Sequence, residues 1–353
     1  MLTLTETLSS QNDLESLCAD RPLRTREAFT PNAYYGIDRI LKEYAGLPRA
    51  CSLKVVVPHG VVLDENFVWE AEKKALVPGV FCYPPYREPA YWAQTGKKVF
   101  LSAAPFLYLV EMLQDQPQPA RQGTIFFPQH STHHVTAETD FEGLAEELAQ
   151  LGSEYQPVTV CIYWRSFNLG HHLPFEKRGM RIVSAGHMYD PAFLYRFYHL
   201  CSLHRYASSN GLGSHMFYSL KSGCSYFHFD CVKPHLVADD LVLNRDVSKT
   251  SPAIEAALKA LFRSPQPSVV AEQLDTADYY LGAEYLRSPR ELRKLLLYAE
   301  LLDKAHFRAR GATGSTSFSI PTWYRRSGRT LQRGLLEIGR ELWKLPNSMK
   351  ASR

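Results

Sequence analysis

The sequence has no Asp-x-Asp pair, no His-Glu-x-x-His, no Gly-x-Ser-x-Gly and no Cys-x-x-Cys. Each absence removes a chemistry. Closely spaced carboxylates are the common device for holding a divalent ion on a donor diphosphate, and they are missing. The two-histidine zinc helix is missing as well. Without a nucleophile elbow, a hydrolase triad has no anchor. The seven cysteines (18, 51, 82, 161, 201, 224 and 231) are scattered, several inside apolar runs. That pattern predicts buried free thiols in a reducing compartment. No apolar run approaches the roughly 18 residues of a membrane span, and Met1 to Asp20 has no apolar core of signal-peptide type. Charge is nearly balanced, with 40 Lys and Arg against 36 Asp and Glu. That surface is mildly basic, and no RNP, finger or basic-zipper pattern accompanies it, so no nucleic-acid partner is expected. The expectation is a cytoplasmic protein.

What is present is an alternation of strands and helices. At 353 residues the length suggests two domains. In the first half, Ser52 to Pro58, Val77 to Tyr83 and Lys97 to Leu101 read as strands. Helical spacing covers Tyr34 to Tyr44, Glu88 to Thr95 and Pro105 to Leu113. Gln114 to Gln122, polar with two prolines, reads as a linker. The alternation then restarts with strands at Thr124 to Phe127, Pro157 to Trp164, Arg181 to Ser184, Tyr206 onward and Cys224 to Phe229. Thr139 with Glu142 reads as a capping box for a helix reaching about Leu151. Asp190-Pro191 reads as the N-cap and first turn of the next helix, whose apolar face is Phe193, Phe197, Leu200 and Leu203. Ser251-Pro252 and Ser288-Pro289-Arg290-Glu291 launch two more helices. The economical fold class is α/β: two Rossmann-like domains of parallel sheet with helices on both faces, followed by a helical C-terminal extension. The boundaries are a polar arm over 1–30, domains over 31–118 and 119–265, and the helical segment over 266–353.

In parallel sheets, ligands bind beyond the carboxyl ends of strands. The unusual residues fall there: His59-Gly60, His130-Ser131-Thr132, Arg165, Gly186-His187, and Ser208 to Ser214. The last stretch runs from a strand through small residues and two glycines into a helix start. Such a turn presents unpaired N–H groups and the positive end of a helix dipole to an anion. Gly211 and Gly213 permit close approach of a phosphate, and Ser208, Ser209 and Ser214 add hydroxyls. The same pattern also serves an ordinary strand-to-helix turn. It is neither the dinucleotide fingerprint, since Met216 stands where the third glycine falls, nor a P-loop. For proton transfer the candidates are His59, Asp64 and Glu65. His59 leads, because a neutral imidazole at a strand end can accept a hydroxyl proton. His130-x-x-His133-His134 lacks a third ligand type nearby and is not read as a metal site. Asp190 is explained by its capping position.

These stretches together resemble glycosyltransferases of the GT-B fold, with the nearest likeness to bacterial enzymes of capsule and lipopolysaccharide assembly. The likeness is carried by Tyr34-Tyr35-Gly36-Ile37-Asp38, His59-Gly60, Phe127-Pro128-Gln129-His130-Ser131, Val183-Ser184-Ala185-Gly186-His187 and Ser209-Asn210-Gly211-Leu212-Gly213-Ser214-His215-Met216-Phe217-Tyr218. It spans roughly residues 30 to 300. The resemblance implies metal-independent transfer from a nucleotide-sugar donor to a glycan or lipid-linked acceptor, with no cofactor. It implies a base in the first half, His59 with Asp64 beside it. It implies a donor site in the second half, drawn from His130, Ser131, Thr132, Arg165, His187, Ser208, Ser209, Asn210, Gly211, Gly213, Ser214 and His215. Lys221-Ser222-Gly223-Cys224-Ser225 departs from the family's Gly-Lys/Arg-Pro turn. Two alternatives stay open: a polyol-phosphate transferase on a related fold, and a non-catalytic scaffold subunit.

The C-terminal tail adds a separate expectation. From Arg325 to Arg353 there are eight Lys or Arg and two Glu, with Leu331, Leu335, Ile338, Leu342 and Leu345 at helical spacing and Trp343 near the end. A basic amphipathic helix of this kind suits an anionic membrane surface, and the same stripe also suits packing on the protein. The tail would make the protein peripheral on the inner face of the plasma membrane.

Overall fold

Three short parallel strands form the first sheet: β1 (Val55–Val56), β2 (Gly79–Cys82) and β3 (Lys98–Leu101), paired in that order. The run from Ser52 to Pro58 predicts a longer first strand than the two residues found. Beside it, the Asn32 amide donates to the Val55 carbonyl at 2.8 Å and accepts the Val57 N–H at 2.9 Å. A buried side chain thus does on one edge of β1 what a neighbouring strand would do, and satisfies groups that burial would otherwise penalise.

The second sheet has five strands in the order β7-β6-β4-β8-β9, all neighbours parallel. They are β4 (Thr124–Phe127), β6 (Val158–Cys161), β7 (Arg181–Val183), β8 (Tyr206–Ser209) and β9 (Ser225–His228). β4, β6, β8 and β9 are buried along their whole length, as a parallel sheet covered on both faces requires. A third element was not foreseen: β5 (Val135–Glu138) pairs antiparallel with β10 (His235–Ala238). These two segments are far apart in sequence, so no hairpin turn joins them.

The computed structural model describes residues 14–117, 119–130, 135–230, 235–238 and 250–310. The chain divides into two compact units, Met1–Glu300 and Leu301–Arg353, and all the described strands lie in the first. The fold class is α/β with parallel sheets. Within the first unit one apolar core reaches both parallel sheets, from Val55 and Phe81 to Ile125, Ala207 and Tyr226. Helix α5 (Pro105–Leu113; α1 to α4 are Leu14–Cys18, Ile37–Tyr44, Glu70–Lys74 and Glu88–Thr95) supplies much of it. Its Phe106 stacks on Tyr218 with ring centroids 4.2 Å apart and meets Phe197 edge-on at 5.9 Å. Eight of the nine α5 positions, all but Glu111, are apolar or aromatic, and all of these but Val110 and Met112 are buried. Such a helix has to be enclosed rather than surface-lying.

The later helices are α6 (Phe141–Ala149), α7 (Trp164–Asn168), α8 (Leu173–Lys177), α9 (Phe193–Ser202), α10 (Ser214–Lys221), α11 (Pro252–Leu261), α12 (Ala271–Leu281) and α13 (Pro289–Arg310). α12 falls in the segment expected to be helical, 266–353, though its bounds were not foreseen. It packs on α10 through Phe217 and Tyr280, stacked at 4.9 Å, and its Leu281 carbonyl accepts the Ala104 N–H at 2.8 Å. It therefore touches elements that belong with both sheets.

Several local expectations need correction. Residues 14–30 are not a loose arm: Cys18 is fully buried, and Glu27 is buried in an ion pair with Lys42 at 2.5 Å. Asp140, not Thr139, caps α6, accepting the Gly143 N–H at 2.9 Å. Trp164 and Arg165 lie on α7 rather than on strand β6. Tyr34 and Tyr35 precede α2 in non-helical conformations. The box at Ser288 forms as read, with the Ser288 N–H donating to Glu291 at 3.0 Å. The break after α5 also has a structural role. Arg121 donates to the Cys201, His204 and Ser222 carbonyls, closing the last turns of α9 and α10 with a cation where their dipoles favour one.

Candidate functional site

In the order β7-β6-β4-β8-β9, the chain leaves β4 in both directions, so a crevice opens between the loops after β4 and β8. A cavity of about 450 Å³ lies there. Its walls include Pro128, Gln129 and His130 after β4, Tyr163 after β6, and Gly211 to His215 after β8. The first sheet closes it with His59, Gly60, Val61, Val62 and Trp69, and Tyr35 enters from the turn before α2. Phe127, Phe193 and Phe197 make the remaining wall apolar. Among the described residues the lining carries no Asp, Glu, Lys or Arg.

The sequence-selected residues divide accordingly. His59, His130, Gly211, Gly213, Ser214 and His215 line one cavity. Ser208 and Ser209 lie in β8 beneath it, 0% and 1% exposed. The Ser209 hydroxyl accepts the Gly211 N–H at 3.1 Å, which tightens the turn. Asn210 braces the two loops, its side-chain oxygen accepting the Gln129 N–H at 2.8 Å, while its amide nitrogen is buried without a partner among the described residues. A buried orphan donor beside a cavity is a group awaiting a ligand or water. Arg165, His187 and Asp64 are not on the lining. The His187 ring lies 4.1 Å from Trp164 and its Nδ1 accepts the Tyr189 N–H, which a fold-holding role explains. Asp64 caps a turn by accepting the Asn66 N–H at 3.0 Å. Asp190 is not the N-cap of α9, which starts at Phe193 after Ala192; it accepts the Ala192 N–H at 2.8 Å in the turn before the helix, and also pairs with Arg196 at 2.6 Å and Arg21 at 3.2 Å. Ser131, Thr132, His133, His134 and the tail from Arg325 lie outside the described residues.

Ser214 is not a spare hydroxyl. It accepts the Val61 N–H at 2.8 Å. A Cβ on Gly60 would come within 2.9 Å of the same oxygen, so a side chain at that position would press on the hydroxyl that holds the two loops together. The first residue of α10 is thereby tied to the loop that carries His59. Gly213 has φ 174°, an extended conformation open to any residue, so its smallness serves space rather than backbone strain.

Burial sets the electrostatics. It pushes His59 and His130 down to about 4 and His215 to about 3, with His130 adding a smaller repulsive contribution at His215. All three are neutral at pH 7. One ring nitrogen of His215 bonds the Gly211 carbonyl and must carry the proton. The other, Nε2, is unpartnered among the described residues and therefore presents a lone pair. His59 sits in an aromatic frame, 5.9 Å from both the Tyr34 and Trp69 rings. His130 lies against Tyr163 at 4.2 Å.

No protein-family model, curated protein or solved structure matches this chain. The site is therefore read from its own geometry. Trp69 and Tyr163 were missed in the sequence, and Gln129 and Tyr218 stood in the stretches that carry the resemblance without being assigned a role. Tyr163 and Gln129 each stand one or two residues past a strand end, which was an available signal. Trp69 gave none, because only the packing of the two sheets brings it to the cavity.

Proposed function

We propose that the chain is a GT-B-type glycosyltransferase that moves a sugar from a nucleotide donor to a glycan or lipid-linked acceptor, without metal, in bacterial surface-polysaccharide synthesis. One observation carries the reading: the His59-Gly60 turn of one sheet and the β8–α10 turn of the other line a single cavity and are joined through Ser214 and Val61. A proton acceptor and an anion-favouring helix start are thus held within one pocket. In the reaction, the acceptor hydroxyl oxygen bonds to the anomeric carbon as the bond from that carbon to the phosphate oxygen breaks. The electron pair leaves with the nucleotide, and the hydroxyl proton passes to His59. A histidine whose conjugate acid lies near 4 is fully in its accepting form at pH 7. Its weakness is offset because the hydroxyl becomes acidic as its oxygen bonds to carbon. The α10 N-terminus, from Ser214 and His215, favours the charge gathering on the leaving phosphate. Transfer or hydrolysis of nucleotide sugars by the purified full chain tests the reading, with mass spectrometry distinguishing sugar from polyol-phosphate products.

A second reading is favoured by the low basicity of His59 and the uncharged lining: a binding subunit that keeps the cavity and has lost turnover. Nucleotide binding with no transfer and no hydrolysis would select it. The basic stripe of the tail, 325–353, supports peripheral attachment to anionic lipid. Co-sedimentation of the full chain with anionic vesicles, lost at high salt and lost on truncation after Pro321, tests that part separately.

A further inference from the structure

Tyr35 is the one non-glycine residue with positive φ among the described residues, at φ 59° and ψ 9°. An aromatic side chain rarely adopts the left-handed region, and where one does so the surrounding structure has to enforce it. Enforcement is visible on both sides. The Tyr35 N–H donates to the Met188 carbonyl at 2.7 Å. Gly36 follows at φ 78°, and a Cβ there would meet the Pro191 carbonyl oxygen at 2.2 Å.

The turn delivers the Tyr35 ring into the cavity, packed on Phe193 at 4.8 Å and 6.3 Å from the His59 ring. Its phenol oxygen lies 3.5 Å from that of Tyr163, which comes from the strand ends of the other sheet. Burial raises the pKa of both phenols, so both keep their protons at neutral pH. Two hydroxyls bring two hydrogens and their mutual bond uses one. Whichever phenol donates, one hydrogen remains for something else. Tyr35, Tyr163 and Tyr218 line the same cavity as Ser214 and His215, the first residues of α10.

We infer that Tyr35 is a substrate-contacting residue: with Tyr163 it gives a hydrogen bond to a phosphate oxygen of the nucleotide bound in this cavity. The inference rests on the nucleotide reading of the site and adds the group that meets the phosphate in an uncharged lining. A phenol supplies a donor there without the cost of burying a cation.

Tyr35→Phe keeps the ring, its packing and the backbone conformation, and removes only the hydroxyl. The experiment is a thermal-shift and calorimetric comparison of the full chain and Tyr35→Phe with uridine, UMP and UDP, repeated for the cytidine, guanosine and adenosine series. The expected result is an unchanged melting temperature without ligand and a 10–100-fold weaker affinity for the mono- and diphosphate, with the nucleoside unaffected. Should Tyr35→Phe fold poorly, Tyr163→Phe removes the paired hydroxyl without touching the strained turn. It should also weaken the phosphorylated ligands selectively. Equal affinities in wild type and variant overturn the inference while leaving the nucleotide reading standing. So does a variant that melts lower yet binds normally, which would make Tyr35 a fold-holding residue. If none of the nucleotides raises the melting temperature of the wild type, the nucleotide reading falls and this contact falls with it.

Discussion

The Ser214 hydroxyl accepts the Val61 N–H at 2.8 Å, joining the first residue of α10 to the loop after β1. The bond spans 153 residues of sequence and crosses from one parallel sheet to the other. It fixes the distance between His59 and the β8–α10 turn, on which any transfer between them depends. Replacing Gly60 by Ala puts a methyl group 2.9 Å from that oxygen and breaks the tie. The expected cost is about 1–3 kcal/mol in urea unfolding, from a displaced loop and an unpaired N–H. Turnover should fall with it. A Gly60→Ala chain of normal stability would show that the loops are held elsewhere.

His59→Ala should lower turnover by about 10²–10⁴-fold, the usual worth of a positioned base, while nucleotide affinity stays near wild type. The pH profile gives an independent check. The base must be neutral, and burial holds His59 down to about 4. The acid limb of kcat/KM should therefore appear near pH 4, not near 6.5. A limb at the ordinary histidine value would assign the proton to another group.

Gly213→Val separates ligand space from folding. Its extended φ accepts a side chain, and the Cβ would touch only the His215 ring, at 3.2 Å. Melting temperature should change little. Nucleotide affinity should fall tenfold or more if phosphate approaches this backbone, as a calorimetric titration would register.

Stability should itself depend on pH through the three cavity histidines, His59, His130 and His215. Folding holds each below its ordinary 6.5, so between pH 6.5 and about 4 the unfolded chain takes up protons that the folded chain refuses. The stabilisation is present above pH 6.5 and is lost progressively as pH falls toward 4. His130→Gln removes one titrating group, so the melting temperature of the variant should decline less steeply over this window. Parallel curves for wild type and variant would assign the acid sensitivity to other groups.

The sequence by itself determined the elements that local chemistry dictates. β-Branched and aromatic residues marked β2, β3, β4 and β6 to β9; β2, β4, β6, β8 and β9 are buried along their whole length, as strands covered on both faces are, while β3 is partly exposed. The Ser288 box and the proline-led starts of α5 and α11 were legible, because capping is decided within four residues. The strand-end rule put His59, His130 and the Gly211–His215 turn on one list before any contact was known. Tertiary structure decided the rest. The β5–β10 pair and the role of Asn32 beside β1 depend on partners distant in sequence, which no local window contains. Only packing shows that Ser214 is committed to Val61, that His187 serves the fold, and that Tyr35 is held in a left-handed turn to meet Tyr163. A hydroxyl, an imidazole and a phenol each have several possible partners. Which one they take is a matter of position in three dimensions, and residue type leaves that open.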